Sequence, residues 1–219
     1  SWRMRWSRTP PELAAQGVLW QVPGRMADWD VRGVLQYVPL FRGRIFVVLF
    51  DEGPLPDPAV AEALLDLKAL QDIGVQLVVG VLGGGVGDLA DRATEVEMKF
   101  AQVKTDPGAS DTCLASCRPI LRRGQAALLD CRGLDPLGPE VAAVGRGLGA
   151  AKLISLVNGP GVLRRGGPLH AIPSSAVAGL EDDFEGAAML RAAAAVCENG
   201  IPRVHILDGR RQGVLAEEL

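Results

Sequence analysis

A phosphoryl group is held by compact ammonium ions. This chain offers four: Lys68, Lys99, Lys104 and Lys152, the remainder of its 23 Lys+Arg being arginine. The planar guanidinium fork does not replace a lysine at such a centre, so any lysine chemistry rests on those positions. Gly83-Gly84-Gly85 follows an apolar run and could cradle a phosphate or carboxylate at a helix start, or merely close a strand against a helix. Asp51 and Glu52 form a carboxylate pair of the kind used in acid–base work, but they read as exposed loop charges. Lys152 reads as a surface charge at a strand start. His205, inside an apolar run, reads equally as a satisfied core histidine or as a ligand contact. Asp208 before Gly209 reads as a turn former, and Arg164 and Arg165 as solvated loop residues. Cys113 and Cys117 are one helical turn apart, but no second Cys/His pair stands at zinc-ligand spacing. The expectation for Cys113, Cys117, Cys131 and Cys197 is therefore buried free thiols of a cytoplasmic protein, with no metal.

The elements that must position these residues come from a chain of 219 residues, 48% hydrophobic, with a formal net charge of −3. That composition suits one soluble globular domain or two small ones and excludes disorder. No run of about 18 apolar residues occurs, so no membrane partner is expected. The acidic balance argues against a nucleic-acid partner. All four tryptophans (Trp2, Trp6, Trp20, Trp29) fall in the first thirty residues beside Arg3, Arg5 and Arg8. Pro10, Pro11 and Glu12 interrupt the apolar stretch a signal peptide would need. Residues 1–30 are therefore expected to be an N-terminal arm whose indoles dock on another surface, with the main domain at 31–219.

Within that domain, strands and helices alternate. Continuous apolar runs predict strands at 45–50, 75–82, 126–130, 152–157 and 203–207. Asp57 as a cap and Pro58 at the first helical position predict a helix that Gly74 stops. Further helices are predicted at 87–104, 113–123, 138–148 and 185–197, and a hairpin at NGPGVLRRGGP after the fourth strand. Repeated β-then-α order predicts an α/β fold, a three-layer αβα sandwich on a mainly parallel sheet.

Three blocks then resemble the amino-acid kinase family, and within it the acetylglutamate kinases and the kinase-like domain of N-acetylglutamate synthases: LQYVPLFRGRIFVVLF (35–50), LGAAKLISLVNGPGVL (148–163) and NGIPRVHILDGRRQGVLAEEL (199–219). The resemblance spans most of the chain from Val31 and is strongest at HILDGR with LAEEL behind it. It implies a fold shortened in the middle, where the family's substrate-binding arginine motif and lid hairpin are nearly missing. The family's first-strand lysine and its two glycines align with Leu49, Asp51 and Glu52, and its second lysine with Leu190. Arg191, one residue on, would point about 100° away on a helix. The glycine triplet at Gly83, Gly84 and Gly85 is then a vestigial phosphate loop. With the charge-neutralising groups gone, no catalytic residue and no cofactor are expected.

In arginine-sensitive relatives a tyrosine of the N-terminal helix, the HIIDGR-like strand and a following Glu line the effector pocket. Carried across, these are Tyr37, His205 and Glu218, and the implied ligand is L-arginine. A carboxylate takes a guanidinium through two hydrogen bonds. The resemblance further implies homo-oligomers through the N-terminal helix, an acetyltransferase domain or partner chain, and continuation of the last motif past Leu219. Other readings are a divergent acetylglutamate kinase using N-acetyl-L-glutamate and ATP, and a non-catalytic structural subunit.

Overall fold

A computed structural model describes residues 18–20, 41–50, 56–104, 110–164, 167–169, 171–179 and 184–218. Tyr37, Asp51, Glu52, Arg165 and His170 lie outside the described residues. The elements run β1 (Val18–Trp20), β2 (Ile45–Phe50), α1 (Asp57–Asp72), β3 (Gln76–Val81), α2 (Val86–Glu95), β4 (Phe100–Val103), α3 (Ser110–Arg122), β5 (Ala126–Asp130) and α4 (Pro139–Leu148). They continue as β6 (Lys152–Val157), β7 (Leu163–Arg164), β8 (Gly167–Pro168), β9 (Ala171–Pro173), α5 (Ser174–Val177), β10 (Phe184–Glu185), α6 (Ala187–Glu198), β11 (Arg203–Asp208) and α7 (Val214–Glu218).

The sheet order is β4-β5-β3-β2-β6-β11-β1-β9. Every pair in it is parallel except β1 with β9. Connections that step toward β4 carry α1 and α2 on one face, while those that step back toward β11 carry α3, α4 and α6 on the other. Changing face with direction keeps each crossover right-handed, which twisted strands require. The predicted αβα sandwich is thus the observed fold. Its two cores lie on either side of the sheet, one under α3, α4 and α6, the other under α1, α2 and α7.

The five predicted strands are present, as is the hairpin, where β7 and β8 pair antiparallel. Four local readings change. The helix expected over 87–104 ends at Glu95. Glu97 then takes a left-handed φ of 58°, and residues 100–103 form β4 beside β5. FAQV is too short and mixed to announce a strand, and its pairing with β5 decides the matter. Asp57 makes no capping bond; it is the first helical residue, and its carboxylate pairs with Arg92 Nη2 at 2.9 Å. Glu185 belongs to β10, so the last long helix starts two residues later, at Ala187. Val18–Trp20, within the stretch read as an arm, is a strand seated between β11 and β9.

Leu49, at the position where the resemblance places the kinase lysine, is 1% exposed. Its neighbour across the ladder is Gly80. A Cβ on Gly80 would stand 2.7 Å from Leu49 Cδ2 and 3.0 Å from Cys131 Sγ. Gly80→Ala is expected to cost about 1–3 kcal/mol by overpacking, read from urea unfolding; a loss under about 0.5 kcal/mol would show that Leu49 swings aside freely.

Candidate functional site

Side chains alternate across a strand, so β11 divides its residues between the two cores. Val204 and Ile206 enter the core under α6, while Leu207 enters the one under α1 and α7; His205 shares the face of Leu207. On neighbouring β6, Ile154 and Leu156 face the same way, and Lys152 shares that face at the start of the strand. The register sets His205 beside Ile154.

The turn after β11 brings the third member in. Asp208 accepts hydrogen bonds from Arg210 N at 3.1 Å and Arg210 Nε at 2.8 Å, and its carbonyl accepts from Arg211 N at 3.1 Å. It is the turn former expected, and Arg210 holds its carboxyl below the usual range despite the opposing effect of burial. The chain reverses into α7, which is fastened to α1 by Ala216 N–H donating to Asp66 Oδ2 at 3.2 Å. Burial pushes Asp66 upward, against that hydrogen bond. Glu218 thereby lies over the sheet with Oε1 2.5 Å from His205 Nδ1, the two side chains 5% and 1% exposed. Two of the three sequence-expected effector residues are therefore in contact.

Lys152 overturns its surface reading, being 5% exposed. Its Nζ stands 5.3 Å from the Phe41 ring centroid and 5.5 Å from that of Phe46, a cation–π cradle. Burial lowers its pKa to about 8, with Glu218 resisting and Arg203 assisting. Burial likewise lowers the His205 pKa; contact with Glu218 opposes this, and Lys152 and Arg203 add to it. A lysine opening an otherwise apolar run, Ala-Ala-Lys-Leu-Ile, was the available signal for an inward side chain.

The buried cluster Lys152–His205–Glu218 leaves polar atoms without partners. Glu218 Oε2 and both ring nitrogens of His205 lack an aligned hydrogen-bond partner, a cost that a ligand would relieve. It is not a Ser–His–Glu nucleophile site, since buried Ser155 occupies a strand position on the opposite face of the sheet from His205.

The carboxyl ends of the strands are the usual ligand crevice of such sheets. Here the crevice is lined by Phe50, Ala59, Leu156 and Val214 with Arg211, which is itself paired with Glu217 at 2.9 Å. Gly83, Gly84 and Gly85 lie on this same edge, with Gly85 preceding α2. Lys152, at the opposite edge of its strand, cannot serve this crevice. Lys104 is exposed and follows β4, three strand spacings of about 4.8 Å from β2. All four cysteines are buried and outside any disulfide, with Cys113 Sγ 4.0 Å from Cys117 Sγ. Burial raises Cys131 to about 12 and Cys197 to about 11. No group of three or more metal-ligating side chains occurs among the described residues, and no helix there is long and apolar enough to cross a membrane.

The molecule is thus a parallel-sheet αβα sandwich with a buried cation–imidazole–carboxylate cluster. No protein-family model and no curated protein matches the sequence. Among solved structures, the fold is similar to that of N-acetylglutamate synthase from Neisseria gonorrhoeae complexed with coenzyme A and L-arginine, at a TM-score of 0.67 and 18% identity. The similarity covers 86% of this chain and 61% of that one, so this chain spans about three-fifths of that synthase.

Proposed function

We propose that this chain is a kinase-dead amino-acid-kinase-like domain of N-acetylglutamate synthase type, serving arginine biosynthesis and binding L-arginine as an allosteric effector. The observation that carries the reading is the buried His205–Glu218 contact, because it joins two residues that the resemblance selected for the effector pocket although thirteen positions separate them. Lys152 joins them as a third member of the site, and Tyr37 is proposed as a fourth. The fold likeness to a synthase complexed with L-arginine supports the same class.

Loss of phosphoryl transfer is supported by Leu49 and Leu190, both core residues at 1% and 2% exposure. No described lysine stands where a phosphate at the β2–β6 crevice could be neutralised. Gly83, Gly84 and Gly85 remain as a turn that closes β3 onto α2. Acetyl transfer belongs, on this reading, to a separate domain or partner chain, and the N-terminal helix assembles the oligomer.

Calorimetric titration with L-arginine is expected to show saturable binding. L-Citrulline, which keeps the shape but lacks the positive charge, is expected to bind at least tenfold more weakly, since a neutral group gains less from a buried carboxylate. No heat of binding with L-arginine would overturn the effector reading. Phosphorylation of N-acetyl-L-glutamate by ATP is expected to be undetectable, and turnover would overturn the loss of kinase activity.

A further inference from the structure

Glu218 Oε1 and His205 Nδ1 are 2.5 Å apart with both side chains almost fully enclosed. The contact lies off the direction of a ring N–H, so neither it nor any other described group gives the ring an aligned hydrogen bond. At this separation the carboxylate's negative charge favours a ring nitrogen that bears hydrogen over a bare one. A proton on Nδ1 turns the same contact into attraction. The neutral ring is therefore the Nδ1–H tautomer, and Nε2 keeps its lone pair.

The two atoms left over, His205 Nε2 and Glu218 Oε2, are then both buried acceptors without a partner. A site with two unmet acceptors calls for donors on a compact cation, and a guanidinium presents several N–H groups in one plane. Resting on the effector reading above, we propose that the His205–Glu218 pair is a proton-gated receptor for a planar cation, open when His205 is neutral and closed when a proton occupies Nε2. The proton and the cation compete for the same lone pair.

The charged groups around the ring act in opposite directions. Glu218 faces it from α7, Lys152 from β6 and Arg203 from β11 itself, and β1 supplies no titratable residue. From α1, Asp66 is engaged by the Ala216 N–H. Lys152 and Arg203 oppose a positive ring, as burial does, and Glu218 favours one; the balance holds His205 below its ordinary 6.5. The gate consequently closes on the acid side of neutrality.

Titration of the full chain with L-arginine between pH 5 and 8, in buffers of different ionisation enthalpy, tests the gate. Below the His205 pKa the affinity is expected to fall by up to about tenfold per pH unit, with proton release on binding. His205→Gln, which keeps a donor and an acceptor but does not titrate, is expected to bind with nearly constant affinity over that range. Binding that is independent of pH in the wild type would overturn the gate and leave the effector reading standing; no binding at any pH would overturn both. Nitrogen-correlated NMR of His205, assigned by its loss in the variant, reads the tautomer without ligand. A neutral ring protonated on Nδ1 supports the gate, and one protonated on Nε2 overturns it.

Discussion

Glu218→Ala is expected to abolish detectable L-arginine binding and to lower stability by about 3 kcal/mol at pH 7. Among the described residues the carboxylate is the one anion in contact with His205, and it also acts on Lys152, both side chains being almost fully enclosed. Breaking a buried ionic group by removing one partner costs about 3–5 kcal/mol, because the remaining charge stays in a medium that cannot solvate it. The lower end applies here, since Lys152, already near pH 8, can shed its proton once Glu218 is gone. In a chain of this size about 3 kcal/mol corresponds to a Tm roughly 6–12 °C lower. Glu217→Ala is the control: its partner Arg211 is 38% exposed, and such pairs contribute about 1 kcal/mol or less. Urea unfolding and calorimetry of both variants decide the matter. Retained arginine binding in Glu218→Ala, or a loss no larger than that of Glu217→Ala, would remove Glu218 from the site.

Lys152→Met is expected to raise stability at pH 7 by about 2 kcal/mol. Burial takes the Lys152 pKa from 10.5 to about 8, and at 1.36 kcal/mol per pKa unit the charged side chain costs the fold about 3 kcal/mol. Methionine keeps the length and the contact with Phe41 and Phe46 but gives up the cation–π attraction, of the order of 1 kcal/mol. The sign of the pH dependence follows. Below about 8 the lysine is protonated in both folded and unfolded chains and the full cost is present. Between about 8 and 10.5 the unfolded chain holds the proton that the folded chain has lost, so stability rises with pH across that window. Above 10.5 neither state is charged and the cost is gone. The difference in unfolding free energy between wild type and Lys152→Met, measured from pH 7 to 11, should shrink toward the alkaline end. A constant difference would mean that Lys152 is solvated after all.

The L-arginine reading also depends on the route by which Glu218 reaches His205. His205 was open in the sequence to both a core and a ligand reading, because an apolar strand is all that RVHILD announces. What distinguishes them is the reversal at Asp208 and the Asp66–Ala216 bond that lays α7 on α1. Neither is a periodic feature. Lys152 was misplaced for a related reason: a lysine that opens a strand is solvated at an edge and enclosed at the centre. The order β2-β6-β11 places it at the centre.

By itself, then, the sequence determined the alternation of buried strands and covering helices, the parallel sheet, the hairpin after β6, the enclosed thiols and the apolar residues at Leu49 and Leu190. These are consequences of local hydrophobic pattern and turn chemistry, which act over a few residues and leave a periodic trace. The tertiary structure alone decided that FAQV is a strand, that Val18–Trp20 joins β11, and that Lys152, His205 and Glu218 share one dry site. Each of those depends on a partner far away in the chain, and pairing energy across a sheet or charge in a low-dielectric interior has no expression in the neighbouring residues that a sequence displays.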